Sequence, residues 1–141
     1  MSVHKSRLAT IVIDCNMQNI NEAARFWSAA LGWHARPLPD TDDANYRELV
    51  GPEDDVKVLI QIVDHPSRVH IDIEADDVDA EVRRLEALGA KRVHHLKRWW
   101  VMQAPTGQRF CVVRPQRPDF KSQANEWDTS AEKGSLAHLK R

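Results

Sequence analysis

The segment VHIDIE, residues 69–74, alternates apolar and polar side chains. In a strand, that alternation sends His70, Asp72 and Glu74 to one face and Ile71 and Ile73 to the other. A carboxylate near an imidazole orients it and raises its basicity, which suits proton abstraction beside a carbonyl. The run LATIVIDC, residues 8–15, repeats the pattern, with Thr10, Val12 and Asp14 opposite Ile11 and Ile13. One face of each strand must then meet water or ligand, and the other a layer of helix. Cys111, in RFCVVR, can approach His70 from a neighbouring strand as a nucleophile. A thiol in so apolar a strand more commonly packs as a small hydrophobe, and Cys15 reads the same way. His70 and Cys111 are the two weak candidates for a metal, and they attract Zn²⁺ only if a residue such as Asp72 or Glu74 completes the set. Trp99 and Trp100 are adjacent and point to opposite faces. The reading places Trp100 with Met102 and Tyr46 on the ligand side, and Phe26 and Trp27 in the helix–sheet core, since small-molecule sites have apolar walls with few polar groups.

These residues need elements to position them. LATIVIDC is rich in β-branched residues and reads as a strand. NINEAARFWSAALG follows, with Asn19 or Asn21 as a cap, an apolar stripe of Ala23, Phe26, Trp27, Ala30 and Leu31, and Gly32 as a left-handed stop. Strands are expected at 33–38, 46–50 and 56–63, separated by the acidic turns 40–43 and 51–55. The order then begins again: a strand at 69–74, and a helix starting at Asp76-Asp77 with Val78, Val82, Leu85 and Leu88 on one face. Gly89 caps that helix, and strands follow at 91–97, 98–103 and 109–114. AALGW at 29–33 and EALGA at 86–90 occupy matching places. This is an internal βαβββ repeat.

The chain has 141 residues, 42% hydrophobic and 29% charged, with a formal net charge of −1. This is the balance of an ordinary globular domain and leaves no global electrostatic footprint for nucleic acid. The basic run KRVHHLKR, residues 91–98, is too short to change that and reads as a solvated strand that discourages edge pairing. Two cysteines do not make a disulfide framework, so a cytoplasmic, free-thiol setting is expected. The apolar run at 8–13 is too short to span a bilayer and lacks a signal-peptide cleavage pattern. The expected domain is 1–115, with modules at 7–64 and 68–115. A polar tail, 116–141, is pinned to the body by Phe120 and Trp127, and its last dozen residues are expected to be mobile.

The stretches IVIDC (11–15), FWSAALGW (26–33), VHIDIEADDVDAEVRRLEALGA (69–90) and WWVMQAPTGQRFCVVRP (99–115), with RPDFKSQANEWD (117–128), resemble the vicinal oxygen chelate superfamily. The likeness is to its glyoxalase-like, bleomycin-resistance-like branch and covers nearly the whole chain. It implies an α+β fold of two βαβββ modules, each curving its sheet around half of a shared cleft, and a homodimer. Metal enzymes of the family draw four ligands from that cleft, and the matching positions here are Thr10, Gln61, His70 and Cys111. Only His70 keeps the usual residue type. Gln61 and Cys111 stand where carboxylates are common, and Thr10 where another His is common. Ala104-Pro105-Thr106-Gly107-Gln108 also replaces the family's Asp-Pro-x-Gly-Asn turn.

The expectation is therefore a small-molecule-binding protein whose usual metal site is largely lost, with no cofactor needed and a divalent metal only in a minority reading. Thr10, Asp14, Tyr46, Gln61, His70, Trp100, Met102 and Cys111 are the candidate ligand contacts. His70 and Asp72 are the candidate acid–base pair of the alternative, a glyoxalase-type lyase or isomerase with an atypical metal. Ring-cleaving dioxygenase chemistry is not expected, since it needs two His and a carboxylate on iron. A non-catalytic interaction domain is the third reading. The partner is a small organic ligand, with neither nucleic acid nor membrane.

Overall fold

A computed structural model describes residues 3–38 and 44–128. The acidic turn at 40–43 and the last dozen residues lie outside them. Twelve elements follow in order: β1 (Val3–Cys15), α1 (Ile20–Leu31), β2 (His34–Arg36), β3 (Tyr46–Val50), β4 (Lys57–Ile62), β5 (Arg68–Ala75), α2 (Val78–Ala87), β6 (Lys91–Leu96), β7 (Trp99–Gln103), β8 (Arg109–Val113), α3 (Phe120–Gln123) and β9 (Asn125–Asp128). The βαβββ order occurs twice, and the chain is an α+β protein. Among the described residues no helix is long and apolar enough to cross a membrane. Contacts divide the chain into two compact units, Thr10–Ile71 and Met1–Ala9 with Asp72–Arg141. β1 and β5 each contribute to both.

In the unit Thr10–Ile71 the strands lie in the order β2-β3-β4-β1, antiparallel except for the parallel β4–β1 pair. That pairing needs a crossover, and α1 supplies it. Asn19 caps α1 by accepting from the backbone N–H groups of Asn21 and Glu22, and Gly32 ends it at φ 74°. The core on this side holds Cys15, Ala23, Ala24, Leu49, Val58 and Ile60, with Ile13, Ile20, Trp27 and Trp33 packed against it. The buried stripe of α1 is therefore Ile20, Ala23, Ala24 and Trp27. Phe26 stands 62% exposed, with its ring edge-on to Trp27. The expected placement of Phe26 in the core does not hold. The small Ala23 and Ala24 bring the helix close to the sheet, and Phe26 falls outside the stripe that they centre.

In the other unit β5, β8, β7 and β6 lie side by side, with β5 and β8 parallel. Their core is Ala75, Val82, Leu85, Ala90, Met102, Phe110 and Val112, with Ile73, Val78 and Trp100 against it. Asp77 caps α2 by accepting from the N–H of Ala80. β1 starts at Val3, earlier than the pattern at 8–15 suggests. VHKSR has no apolar period, and tertiary partners make it a strand. β9 pairs antiparallel with Val3–Ser6, and His4 and Ser6 are buried because Glu81, on α2, accepts from both at 2.7 Å. Arg84 grips the same carboxylate through Nε and Nη2, each at 2.8 Å. Its guanidinium lies 3.8 Å from the centre of the Trp127 ring, whose Nε1 donates to Ser6 Oγ. Burial alone would push the Glu81 carboxyl up, but Arg84, His4 and Ser6 together hold it below its usual range.

A second buried carboxylate, Glu74, fixes the segment after β8. It accepts from Arg7 Nε at 2.6 Å and from the backbone N–H groups of Gln116 and Arg117. Arg7 also donates to Asp119 at 2.6 Å. Phe120 and Trp127 are both buried, as the pinning of the tail requires.

Candidate functional site

Register places the site residues of the unit Thr10–Ile71. Asp14 on β1 stands beside Gln61 on β4, which stands beside Tyr46 on β3. Register partners share a face of the sheet. Asp14, Gln61 and Tyr46 therefore form a polar row opposite the face that packs on α1. Gln61 Nε2 donates to Tyr46 Oη at 2.7 Å. Thr10 and Val12 share this face of β1, and both are buried. The wet strand face expected from alternation is thus closed along β1, where Thr10, Val12 and Asp14 are all buried.

Asp14 is the acid in that closed face, 2% exposed. A carboxylate there costs several kcal/mol unless it is paired. His70 supplies the pairing: its Nδ1 lies 2.6 Å from Asp14 Oδ2. The carboxylate is the acceptor, so Nδ1 carries the proton and the ring is held in one orientation. Asp14 Oδ1 has no donor among the described residues, which leaves His70 as the main compensation for the buried charge. Arg68, two residues before His70 on the same face of β5, brings Nε to 3.9 Å from Asp14 Oδ2. That is an ion-pair distance beyond a hydrogen bond. Burial pushes the neighbouring Cys15 thiol up, and Asp14 adds to the effect, so Cys15 is no ready nucleophile.

In the other unit Asp72 is in register with Cys111, and Cys111 with Val101. These three share a face, and Gln103 alternates with Val101 onto it. Trp100 is in register with Val112, and Met102 with Phe110. Trp100 and Met102 therefore belong to the apolar core facing α2, and Met102 is fully buried. The sequence reading had them on the ligand side. Trp99, Val101 and Gln103 have the parity it assigned to Trp100 and Met102. The signal was available: in WWVMQ the one polar residue, Gln103, alternates with Val101 and Trp99. The Trp100 ring is stacked on His95 at 4.4 Å. Glu74, expected to share a wet face with His70 and Asp72, is fully buried by its Arg7 and backbone partners. Arg68 went unremarked in the sequence, although the alternation that groups His70 with Asp72 reaches it.

The positions matched to the family's ligands do not suit a hard divalent cation, which takes several carboxylate or water oxygens. Thr10 is buried with a neutral oxygen, and the Gln61 amide is turned to Tyr46. Among the described residues, the His, Cys and Asp group able to hold an ion is His70, Asp72 and Cys111. That donor set leans toward Zn²⁺ and is one ligand short of a closed tetrahedral site.

A family model described as a glyoxalase-like domain matches residues 10–113. No curated protein sequence matches the chain. Among solved structures, methylmalonyl-CoA epimerase from Mycobacterium tuberculosis is similar at 17% identity and a TM-score of 0.53, with 77% of this chain and 87% of that one covered. A hypothetical protein from Bacillus halodurans C-125 aligns at 11% identity and a TM-score of 0.57, over 79% and 96%. An extradiol ring-cleaving dioxygenase from B. fuscum aligns at 15% identity and a TM-score of 0.52, over 78% of this chain and 32% of that one. At such identities the likeness is one of fold.

Proposed function

The chain belongs to the glyoxalase-like domain family of the vicinal oxygen chelate superfamily, and from that premise we propose that it binds a small organic molecule at His70. Asp14, in a polar row with Gln61 and Tyr46, supports that imidazole. One observation carries the reading: the buried Asp14 carboxylate holds His70 by Nδ1 at 2.6 Å. An imidazole fixed in this way presents Nε2 as an acceptor of set direction, or as a donor once protonated. It needs no metal to fix its orientation. The protein is proposed to work in the cytoplasm, with Cys15 and Cys111 as free thiols, and as a homodimer, which light scattering tests.

A second reading has the same observation behind it. A carboxylate-held imidazole is also the arrangement of a general base, and an isomerase or lyase would use His70 Nε2 to take a proton beside a carbonyl. Methylmalonyl-CoA epimerases are among the similar structures. Thermal shift against aromatic, glycopeptide and α-keto compounds tests the first reading, with His70→Gln as the control. A ligand that stabilises the native chain and not the variant supports it, and no stabilisation by any compound counts against it. Hydrogen–deuterium exchange at the carbon beside a bound ligand's carbonyl, lost in His70→Gln with the fold retained, establishes the second. Titration with Zn²⁺ is expected to show no stoichiometric submicromolar binding. Such an isotherm would overturn the view that the cation site has been dismantled.

A further inference from the structure

We infer that the ligand is a short carboxylic acid whose carboxylate is gripped by Arg68 and whose next one or two carbons lie against His70. The inference rests on the proposed role of His70 and names the class of molecule bound there. Arg68 opens β5 and shares its face with His70. The strand rise sets their Cα atoms about 7 Å apart. Arg68 Nε and His70 Nδ1 approach the same oxygen, Asp14 Oδ2, at 3.9 and 2.6 Å, so a carboxylate at the guanidinium brings its adjacent carbon toward the imidazole.

The position of Arg68 is fixed while its charge stays accessible. Ser67, the residue before it, accepts from the backbone N–H of Asn16 at 2.9 Å and ties the start of β5 to the end of β1. The Arg68 side chain is 49% exposed, against 1% for Asp14. Its Nε edge turns toward Asp14 at 3.9 Å and makes no hydrogen bond with it. Nη1 and Nη2 form the other edge, which is the fork that matches a carboxylate bidentately. Two acids argue against a more highly charged ligand. Asp14 lies beside the guanidinium, and Asp72 follows on the same face of β5, about 13 Å from Arg68 by the strand rise. A monoanionic carboxylate is compensated by one arginine, whereas a phosphate dianion would leave a charge facing those acids.

The test uses the full chain and isothermal titration with pyruvate, lactate and propionate, their methyl esters, and inorganic phosphate. At least one acid is expected to bind the native protein tenfold or more tighter than its ester and than phosphate. Arg68→Gln should lose at least tenfold in affinity for the acid with the ester unchanged, and Arg68→Lys should recover part of the loss. A melting temperature close to the native one shows that the half-exposed position tolerates the change. His70→Gln should weaken acid and ester alike. Esters binding as tightly as acids, phosphate binding more tightly, or an unchanged Arg68→Gln variant would each overturn the inference while leaving the His70 reading standing. Acid binding that depends on Arg68 and ignores His70 would overturn that reading and, with it, the placement of the ligand carbons. Binding by none of these compounds would sink the inference.

Discussion

Replacing Glu81 with Gln keeps the shape of the side chain and removes its charge. The native carboxylate is fully buried and accepts from His4, Ser6 and twice from Arg84 at 2.7–2.8 Å. In Glu81→Gln the Arg84 guanidinium, 8% exposed, loses its counter-charge, and an amide N–H₂ faces donors. Breaking one side of a buried ion pair costs about 3–5 kcal/mol. At roughly 3 °C per kcal/mol for a chain of this size, the melting temperature should fall by about 10 °C. The loss should be largest where β1 meets β9, because Ser6 also accepts from Trp127. The sign with pH follows from Glu81 being held below its usual range. Its contribution is complete above the unfolded carboxyl value of about 4.3 and disappears as pH falls through the lower folded value. Urea unfolding of both proteins should show a gap of several kcal/mol near neutrality that closes in acid. A gap below about 0.5 kcal/mol at neutral pH, the range of ordinary surface changes, would refute the reasoning. So would a gap that widens in acid.

Three further outcomes follow from the packing. Asp14→Asn should release His70 from its fixed orientation, seen as a change in its imidazole ¹⁵N shifts, with ligand affinity falling about tenfold, the worth of one charge-assisted hydrogen bond. Unchanged shifts would show that Asp14 does not hold the ring. Met102→Ala should cost about 2–5 kcal/mol by opening a cavity beside Phe110 and Val112, and should leave ligand affinity intact. A changed affinity with retained stability would return Met102 to the site. Ending the chain at Pro115 removes Phe120 and Trp127 and strips Glu74 of its Gln116 and Arg117 donors. The truncated protein should unfold at much lower urea, and unchanged stability would mean that the tail only decorates the body.

The sequence by itself determined the repeated βαβββ order, nearly all strand positions from Tyr46 onward, a cap for α1 at Asn19 or Asn21, its stop at Gly32, the start of α2 at Asp76-Asp77, and the pinning of the tail by Phe120 and Trp127. These features depend on periodicity and on residue chemistry within a few positions of each other. It also picked out Asp14 and His70, since a polar residue at alternate places in an apolar strand is visible locally. Their bond was not visible, because 56 positions separate them and only the folded chain brings them to 2.6 Å. Register was likewise beyond the sequence. Trp100 and Met102 went to the core because their partners on β8 are Val112 and Phe110, and a shift by one residue exchanges the faces of a strand. Glu74 was expected on a wet face with His70 and Asp72, and nothing in the local sequence marks Glu81 or His4, yet all three are buried because their partners are distant in the sequence. A side chain's own type sets what it costs to bury, and only the tertiary structure decides which distant group offsets that cost.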